Sequence, residues 1–288
     1  MAKKARVYDG TAWQELASAQ TDLTGYPALA TNQFGFRNKI INGDFRINQR
    51  VYVSAANLDS GSYGFDRWKS NYTNTTLTFT SAPQGQSLTI NSGGGIEQVI
   101  ERENMPAGTY ILTWTGTATG RVYNTGATPP SYAASPVTVT LDGTANVEVE
   151  FTASGGTRTL QNVQLEAGSV ASAFERRPIG TELALCQRYY YQTDSVPDIF
   201  GISFSATIGV FYQIFPVTMR ITPTPVYPST GLTNAVDEFG IGSRTPTALA
   251  AAGANTNSDN FQCTGMSGIT AGRPLRYVGP ALAYGAEL

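Results

Sequence analysis

The side chains that could carry chemistry in this 288-residue chain are carboxylates, tyrosines, lysines and arginines, because it contains no histidine. That absence removes Ser-His-Asp and Cys-His nucleophilic catalysis, and histidine-ligated zinc or iron. A hydrolase would have to use carboxylates, lysine or tyrosine. Glu97, Glu101 and Glu103 share one face if residues 95–103 form a strand. Positions two apart on a strand lie about 7 Å apart, within the roughly 5–9 Å that separate a glycosidase's two carboxylates. A solvated acidic edge explains the same spacing more simply. A different chemistry is offered by residues 119–136, which read as the longest loop in their region. There Arg121, Tyr123, Asn124 and Tyr132 supply a guanidinium, flat aromatic faces and an amide. Those groups hydrogen-bond sugar hydroxyls and stack on sugar C–H surfaces, and binding residues concentrate on loops held by a rigid scaffold. Loop tyrosines also serve plain packing. Ser92-Gly93-Gly94-Gly95 fails as a phosphate loop, since no Lys-Ser/Thr follows it and G-x-G-x-x-G is not completed. No cofactor is expected.

The elements that must position these residues are β-strands. Residues 5–16 read as a hairpin turning at Asp9-Gly10. A lone hairpin is marginal in water, so Tyr8, Trp13 and Leu16 must pack on something else. From residue 38 to 176, short segments alternate apolar and polar residues. Examples are Leu88 with Ile90, then Tyr110, Leu112 and Trp114, then Val137, Val139 and Leu141. In another, Val147, Val149 and Phe151 alternate with Glu148 and Glu150, which predicts an acidic, wet outer face. About seven or eight such strands indicate a β-sandwich. After Pro178 a short helix is expected, with Thr181 as N-cap, Glu182 at the positive end of the dipole, and Leu183, Cys186 and Tyr190 at helical spacing. Three consecutive tyrosines, Tyr189, Tyr190 and Tyr191, cannot all face one core from a helix, since successive residues point about 100° apart. One should meet solvent or a sister subunit. Residues 193–288 read as a second β region, with 243–260 a small, polar loop and Tyr284 to Leu288 near the surface.

Composition agrees with this organisation. Only 14% of residues are charged, and glycine and tyrosine are abundant. A net charge of −2 argues against a nucleic-acid binder. No apolar run is long enough for a membrane span, and the basic start leads into no apolar stretch, so neither membrane insertion nor a secretory signal is expected. Cys186 and Cys263 fall in different regions and read as two free thiols.

Three groups of residues carry a resemblance. The first is Val163 to Glu166, Phe174 to Gly180 and Cys186 to Tyr190. The second is Ile41-Asn42-Gly43-Asp44-Phe45-Arg46-Ile47 with Phe65-Asp66-Arg67-Trp68. The third is Phe215 to Arg220 with Pro223 and Pro225. Together they resemble tailed-bacteriophage virion proteins of the tail fibre or receptor-binding type. The resemblance implies an all-β chain. Its parts would be an N-terminal virion-anchoring segment (1–37), a jelly roll similar to carbohydrate-binding modules (38–176), a linker helix (177–192) and a C-terminal β-sandwich (193–288). It implies a non-enzymatic fibre or spike subunit located in the virion, a homotrimer that adsorbs to a host surface glycan. Tyr8, Trp13 and Leu16 would form the anchor, and Tyr189 to Tyr191 the subunit contact. A capsid-decorating fibre or tail adaptor without a receptor role is the alternative. Some such modules hold a structural calcium beside the opening Asn-Gly-Asp-Phe. Asp44 matches that opening, but the closing strand here lacks the usual paired aspartates, so the metal stays open. Phe65 to Trp68 is expected to be core aromatics around a paired Asp66 and Arg67.

Overall fold

The computed structural model describes residues 36–80, 82, 84–239 and 241–288, together with the backbone of two strands at 6–8 and 13–15. Those strands, β1 (Arg6–Tyr8) and β2 (Trp13–Glu15), pair antiparallel with Tyr8 opposite Trp13, as the hairpin reading requires. Leu16 and the side chains of Tyr8 and Trp13 lie outside the described residues, and so does the anchor expected of them.

Ten strands follow before the helix. They are β3 (Asn57–Leu58), β4 (Lys69–Ser70), β5 (Thr75–Thr78), β6 (Leu88–Ile90), β7 (Gly95–Ile100), β8 (Gly108–Gly116), β9 (Thr119–Asn124), β10 (Val137–Leu141), β11 (Val147–Thr152) and β12 (Arg158–Ala167). They form two antiparallel sheets, ordered β10-β8-β12-β6-β5-β3 and β4-β7-β11-β9. From β6 onward each consecutive strand crosses to the other sheet, the connection of a jelly roll. The period-two pattern sets this up, because alternate residues such as Leu112, Val122, Val149 and Leu165 point between the sheets into one core. Trp68 and Trp114 both pack on Phe151, with ring centroids 6.0 and 5.0 Å away. Residues 119–124 are a strand rather than loop, a correction to the sequence reading. Their alternation is hidden because the inward position beside Val122 is Gly120. A Cβ there would lie 2.7 Å from the Phe151 ring and 3.0 Å from Trp114, so only glycine lets the edge strand settle over these aromatics.

The second β region contains β13 (Tyr190–Gln192), β14 (Ile199–Ser203), β15 (Gly209–Ile214), β16 (Thr224–Val226), β17 (Val236–Glu238), β18 (Gly242–Arg244), β19 (Ala248–Ala254), β20 (Ser258–Thr264), β21 (Pro274–Tyr277) and β22 (Ala283–Gly285). Its sheets are β13-β22-β16 and β18-β17-β21-β14-β15-β20-β19. They enclose a separate core that includes Phe211, Phe261, Leu275, Tyr277 and Tyr284. The chain is therefore all-β, with two sandwich domains joined through one short helix. Residues 248–254 form a strand where a loop was expected. Alanine has little β preference of its own, and pairing with β20 decides the matter. Cys186 and Cys263 are free and buried, and burial pushes the Cys263 thiol up to about 12.

The helix α1 (Ile179–Gln187) begins two residues before Thr181, with Pro178 at the N-cap position and no side-chain cap. Glu182 is buried instead of facing solvent. Its carboxylate takes the Asn42 backbone N–H and two bonds from Arg177, at 3.1 and 3.2 Å. Asn42, in turn, bonds Ile47 through both the oxygen and the nitrogen of its side chain, and reaches the Asp66 carbonyl. Gly43 lies against the closing strand, where a Cβ would be 2.2 Å from the Val163 carbonyl. Opening and closing segments thus meet, with the Val163 N–H donating to the Gly43 carbonyl at 2.8 Å. Asp44 lies 2.6 Å from Arg46, so a cation already faces it.

The helix stops before the three tyrosines, which overturns the premise placing them on it. Tyr189 sits in a turn and is 2% exposed, with the Arg67 guanidinium 3.7 Å from its ring centre. Burial inside its own chain removes it as a subunit contact. Tyr190 and Tyr191 belong to β13 and are half-buried. Arg50 covers Tyr190 at 3.6 Å, and Tyr191 stacks on Tyr284. Asp66 and Arg67 are buried, as expected of core, but they do not pair with each other. Asp66 accepts bonds from the backbone and side chain of Gln49. Arg67 pairs with Glu287 and bonds the Val99 carbonyl. Glu287 also holds Arg50 at 3.0 Å. The final residues are therefore drawn inward, and Tyr284 and Ala286 are buried.

Removing one partner of a buried ion pair leaves the other charge uncompensated and costs about 3–5 kcal/mol. Glu287→Ala should therefore destabilise the chain by about 3 kcal/mol in chemical denaturation. A loss below about 1 kcal/mol, the scale of a surface pair, would show that Arg67 does not depend on it.

Candidate functional site

The outward face of the four-stranded sheet brings charged and aromatic side chains into register. Lys69 on β4 pairs with Glu97 on β7, Glu97 pairs with Glu150 on β11, and Glu150 pairs with Arg121 on β9. This is one row across the sheet, with charges plus, minus, minus, plus. The row beside it holds Tyr123 opposite Glu148. Each position faces outward because its neighbours, Ile96, Gln98, Val122 and Val149, point the other way and are buried.

Glu150 is the hub. It accepts bonds from Arg121 Nε at 2.9 Å and Nη2 at 2.7 Å, from Tyr132 Oη at 2.6 Å, and from Asn71 Nδ2 at 3.3 Å. Tyr123 Oη reaches both Glu150 and Glu148. A phenol has one proton, so it serves one of the two carboxylates at a time. The Arg121 guanidinium lies 4.2 Å from the Tyr132 ring centre and 5.4 Å from that of Tyr123. The 125–136 segment folds back over β9, held by the Gly120–Ala133 bridge and an Arg121 bond to the Pro130 carbonyl. Tyr72 Oη lies 3.4 Å from Tyr132 Oη at the rim.

These contacts set the acidities. Burial pushes the Glu150 carboxyl up, but the bonds from Tyr123, Tyr132 and Arg121 outweigh it and hold the group below its ordinary 4.5. Glu97 moves the other way. Burial raises it, Lys69 at 3.2 Å offsets only part, and Glu150 and Glu148 add repulsion. The Tyr123 and Tyr132 phenols are pushed up, first by burial and then by their carboxylate partners, so both stay protonated donors.

Of the expected glycan residues, Arg121, Tyr123 and Tyr132 converge here. Asn124 does not. It ends β9 with its side chain bonded to Asp142 at 2.7 Å. The expected wet acidic face of β11 is corrected as well, because Glu150 is 4% exposed and enclosed by donors. Glu101 and Glu103 form no strand pair. β7 ends at Ile100, Glu103 lies in a 3-10 turn beside Arg102, and Glu101 is buried against Arg188. Lys69, Asn71, Tyr72, Glu148 and Glu150 were not singled out from sequence as site residues. Strand register brings Lys69, Glu148 and Glu150 together and the turn after β4 adds Asn71 and Tyr72, and a single sequence displays neither.

Glu97, Glu148 and Glu150 bring one oxygen each within 4.8 Å of one another, a spacing that suits a divalent cation. Lys69 and Arg121 already supply positive charge to the outer two positions of that group. A separate cleft of about 600 Å³ lies at the junction between Ile41, Glu101, Arg188, Tyr189 and Arg220. Its two arginines lie 3.3 and 3.9 Å from Glu101 and are occupied by it.

No family model matches the sequence, and no curated protein matches it. Among solved structures, a cycloisomaltooligosaccharide glucanotransferase of a Paenibacillus species, complexed with cycloisomaltoheptaose, aligns at 10% identity and a TM-score of 0.23. The alignment covers 82% of this chain and 46% of that one, so this chain spans less than half of its length. A likeness at that score carries no argument. Among the described residues no helix is long and apolar enough to cross a membrane.

The two displaced acidities order an acid titration. Glu97, raised, should protonate first and relieve repulsion without opening the loop. Glu150, depressed, contributes stability that is complete above its ordinary 4.5 and is lost as the pH falls through its lower folded value. Side-chain carboxyl NMR should therefore show Glu97 titrating before Glu150, and exchange of the 125–136 amides rising only with Glu150. The reverse order would contradict the arrangement.

Proposed function

We propose that this chain is a structural subunit of a tailed-phage virion, a fibre or spike component that adsorbs to a host surface glycan through the outer face of its first sandwich. The virion assignment rests on the sequence resemblance alone. The glycan assignment is supported by the row Lys69–Glu97–Glu150–Arg121, bordered by Tyr72, Tyr123 and Tyr132. Hydroxyl-rich ligands need donors and acceptors fixed in place beside aromatic surface, and this face offers both on a rigid sheet. Glu150 organises the face, since its oxygens are held by the chain's own donors. Glu97 and Lys69, paired with each other, Glu148, which accepts from Tyr123, and the Tyr132 ring are less fully enclosed and keep capacity to meet a ligand.

Three carboxylates and two cations leave the face one negative charge in excess. A neutral saccharide would place its hydroxyls against these carboxylates as donors. A uronic or sialic acid would bring like charge to them, which costs affinity. The reading is non-enzymatic. A nucleophile or general base needs a free oxygen, and the most buried carboxylate here is occupied by arginine and tyrosine donors.

The same occupancy favours a second reading, a capsid-decorating or tail-adaptor protein in which the sandwich is a stiff spacer. Glycan-array and calorimetric binding with the purified chain separates the two. The first reading expects a neutral saccharide to bind and an acidic analogue not to. Tyr132→Ala should weaken binding about tenfold or more, which is ~1.4 kcal/mol, with the fold intact by circular dichroism. Retention on phage capsids or tails, with no saccharide bound, would replace it with the second.

A further inference from the structure

The second sandwich domain exposes one face of its seven-stranded sheet, and the part of that face over β14 and β15 is an apolar patch, bordered on β20 by outward Ser258, Asn260, Gln262 and Thr264. On β14, Ile199 and Ser203 are buried while Phe200 and Ile202 point out. On β15, Phe211 is buried while Tyr212 and Ile214 point out. Register places Ile202 beside Val210. Phe204 follows in the connecting turn, and Phe239 beyond β17 stacks on Phe200 at 6.1 Å with the rings 6° from parallel. Phe200, Ile202, Phe204, Tyr212, Ile214 and Phe239 are each between 40% and 73% exposed. Among the described residues of the first sandwich, the exposed large apolar side chains are Phe36, Val51, Val53 and Val170, none of them on a strand.

With ~200 Å² for each such side chain, the exposed fractions amount to roughly 700 Å². That exceeds the roughly 300–600 Å² of the largest patch on an ordinary monomer and approaches the roughly 800 Å² that each partner buries in a stable protein–protein interface. We infer that this face is where two copies of this chain associate. The face suits another copy of this chain, because apolar side chains on both copies meet without the repulsion that like charges on copies of one surface would bring. Of the cations beside it, Arg276 is neutralised within the chain by Asp237 at 3.1 Å and Asp198 at 3.5 Å, and Arg273 at the margin bonds the Phe239 carbonyl at 3.4 Å. Phenylalanine and tyrosine side chains supply apolar area at small conformational cost, as at the centres of interfaces. The inference goes beyond glycan recognition and does not depend on it. It places the subunit contact on β14 and β15, not on Tyr189 to Tyr191.

The test is sedimentation velocity of the full chain across the micromolar range. The wild type should sediment as an oligomer, Phe204→Glu and Ile214→Glu should each reduce it to monomer, and Val170→Glu should leave the oligomer in place. A wild type that is monomeric throughout would overturn the inference and give the patch to another partner. So would an oligomer that resists both substitutions. Should either variant fail to fold, hydroxyl-radical footprinting of the wild type decides. Labelling of Phe200, Phe204 and Tyr212 that rises on dilution supports the contact, and labelling independent of concentration overturns it.

Discussion

Arg67 carries a full charge on a side chain that is 1% exposed, and the junction of the two domains is arranged around neutralising it. An isolated buried guanidinium costs several kcal/mol after relaxation. Here the first domain supplies the charge and a backbone acceptor at Val99, the second supplies Glu287, and the turn after the helix supplies the Tyr189 ring. Arg50 repeats the pattern between Glu287 and Tyr190. Arg220 adds bonds to the carbonyls of Ala286 and Glu287. The Arg67–Glu287 and Arg50–Glu287 pairs cross between the domains and depend on how they meet, whereas the Val99 and Arg220 bonds each lie within one domain and fix the partners in place, so the ion pairs convert two independent cores into one arrangement.

The segments that carry the phage resemblance are, for the most part, the parts of this junction. Asn42, Gly43, Asp66, Arg67, Val163, Arg177, Tyr189 and Arg220 all lie in them and bond across it or close beside it. Their roles here are architectural. The polar face with the displaced carboxyl acidities lies elsewhere, on Lys69, Glu97, Arg121, Tyr123, Tyr132, Glu148 and Glu150. A resemblance carried by the junction therefore speaks to how such a chain is built, and leaves what it binds to residues outside the shared motifs.

How far the sequence could be read follows from which patterns are local. Strands such as β8, β10 and β11 alternate cleanly, and their cores were legible from side-chain type alone. β9 was hidden by Gly120, whose inward position has no side chain to mark it. β19 was hidden by a run of alanines, whose conformation is decided by the neighbouring strand. The helix start was misplaced because Glu182 looked like a dipole partner, while tertiary structure uses it to hold Asn42 and Arg177. Of the site, the cluster of Arg121, Tyr123 and Tyr132 was legible as composition. Glu150 was not, since an alternating glutamate reads as solvent-facing until the opposite strand supplies an arginine.

The account's central claim is that recognition belongs to the sheet face and the junction is scaffold. Hydrogen-exchange mass spectrometry of the intact chain, with and without a neutral saccharide that it binds, addresses this most directly. The account predicts added protection in residues 119–136 and 147–152, with the helix and the final strand unchanged. Protection confined to residues 179–192 and 283–288 would contradict it and move recognition to the junction.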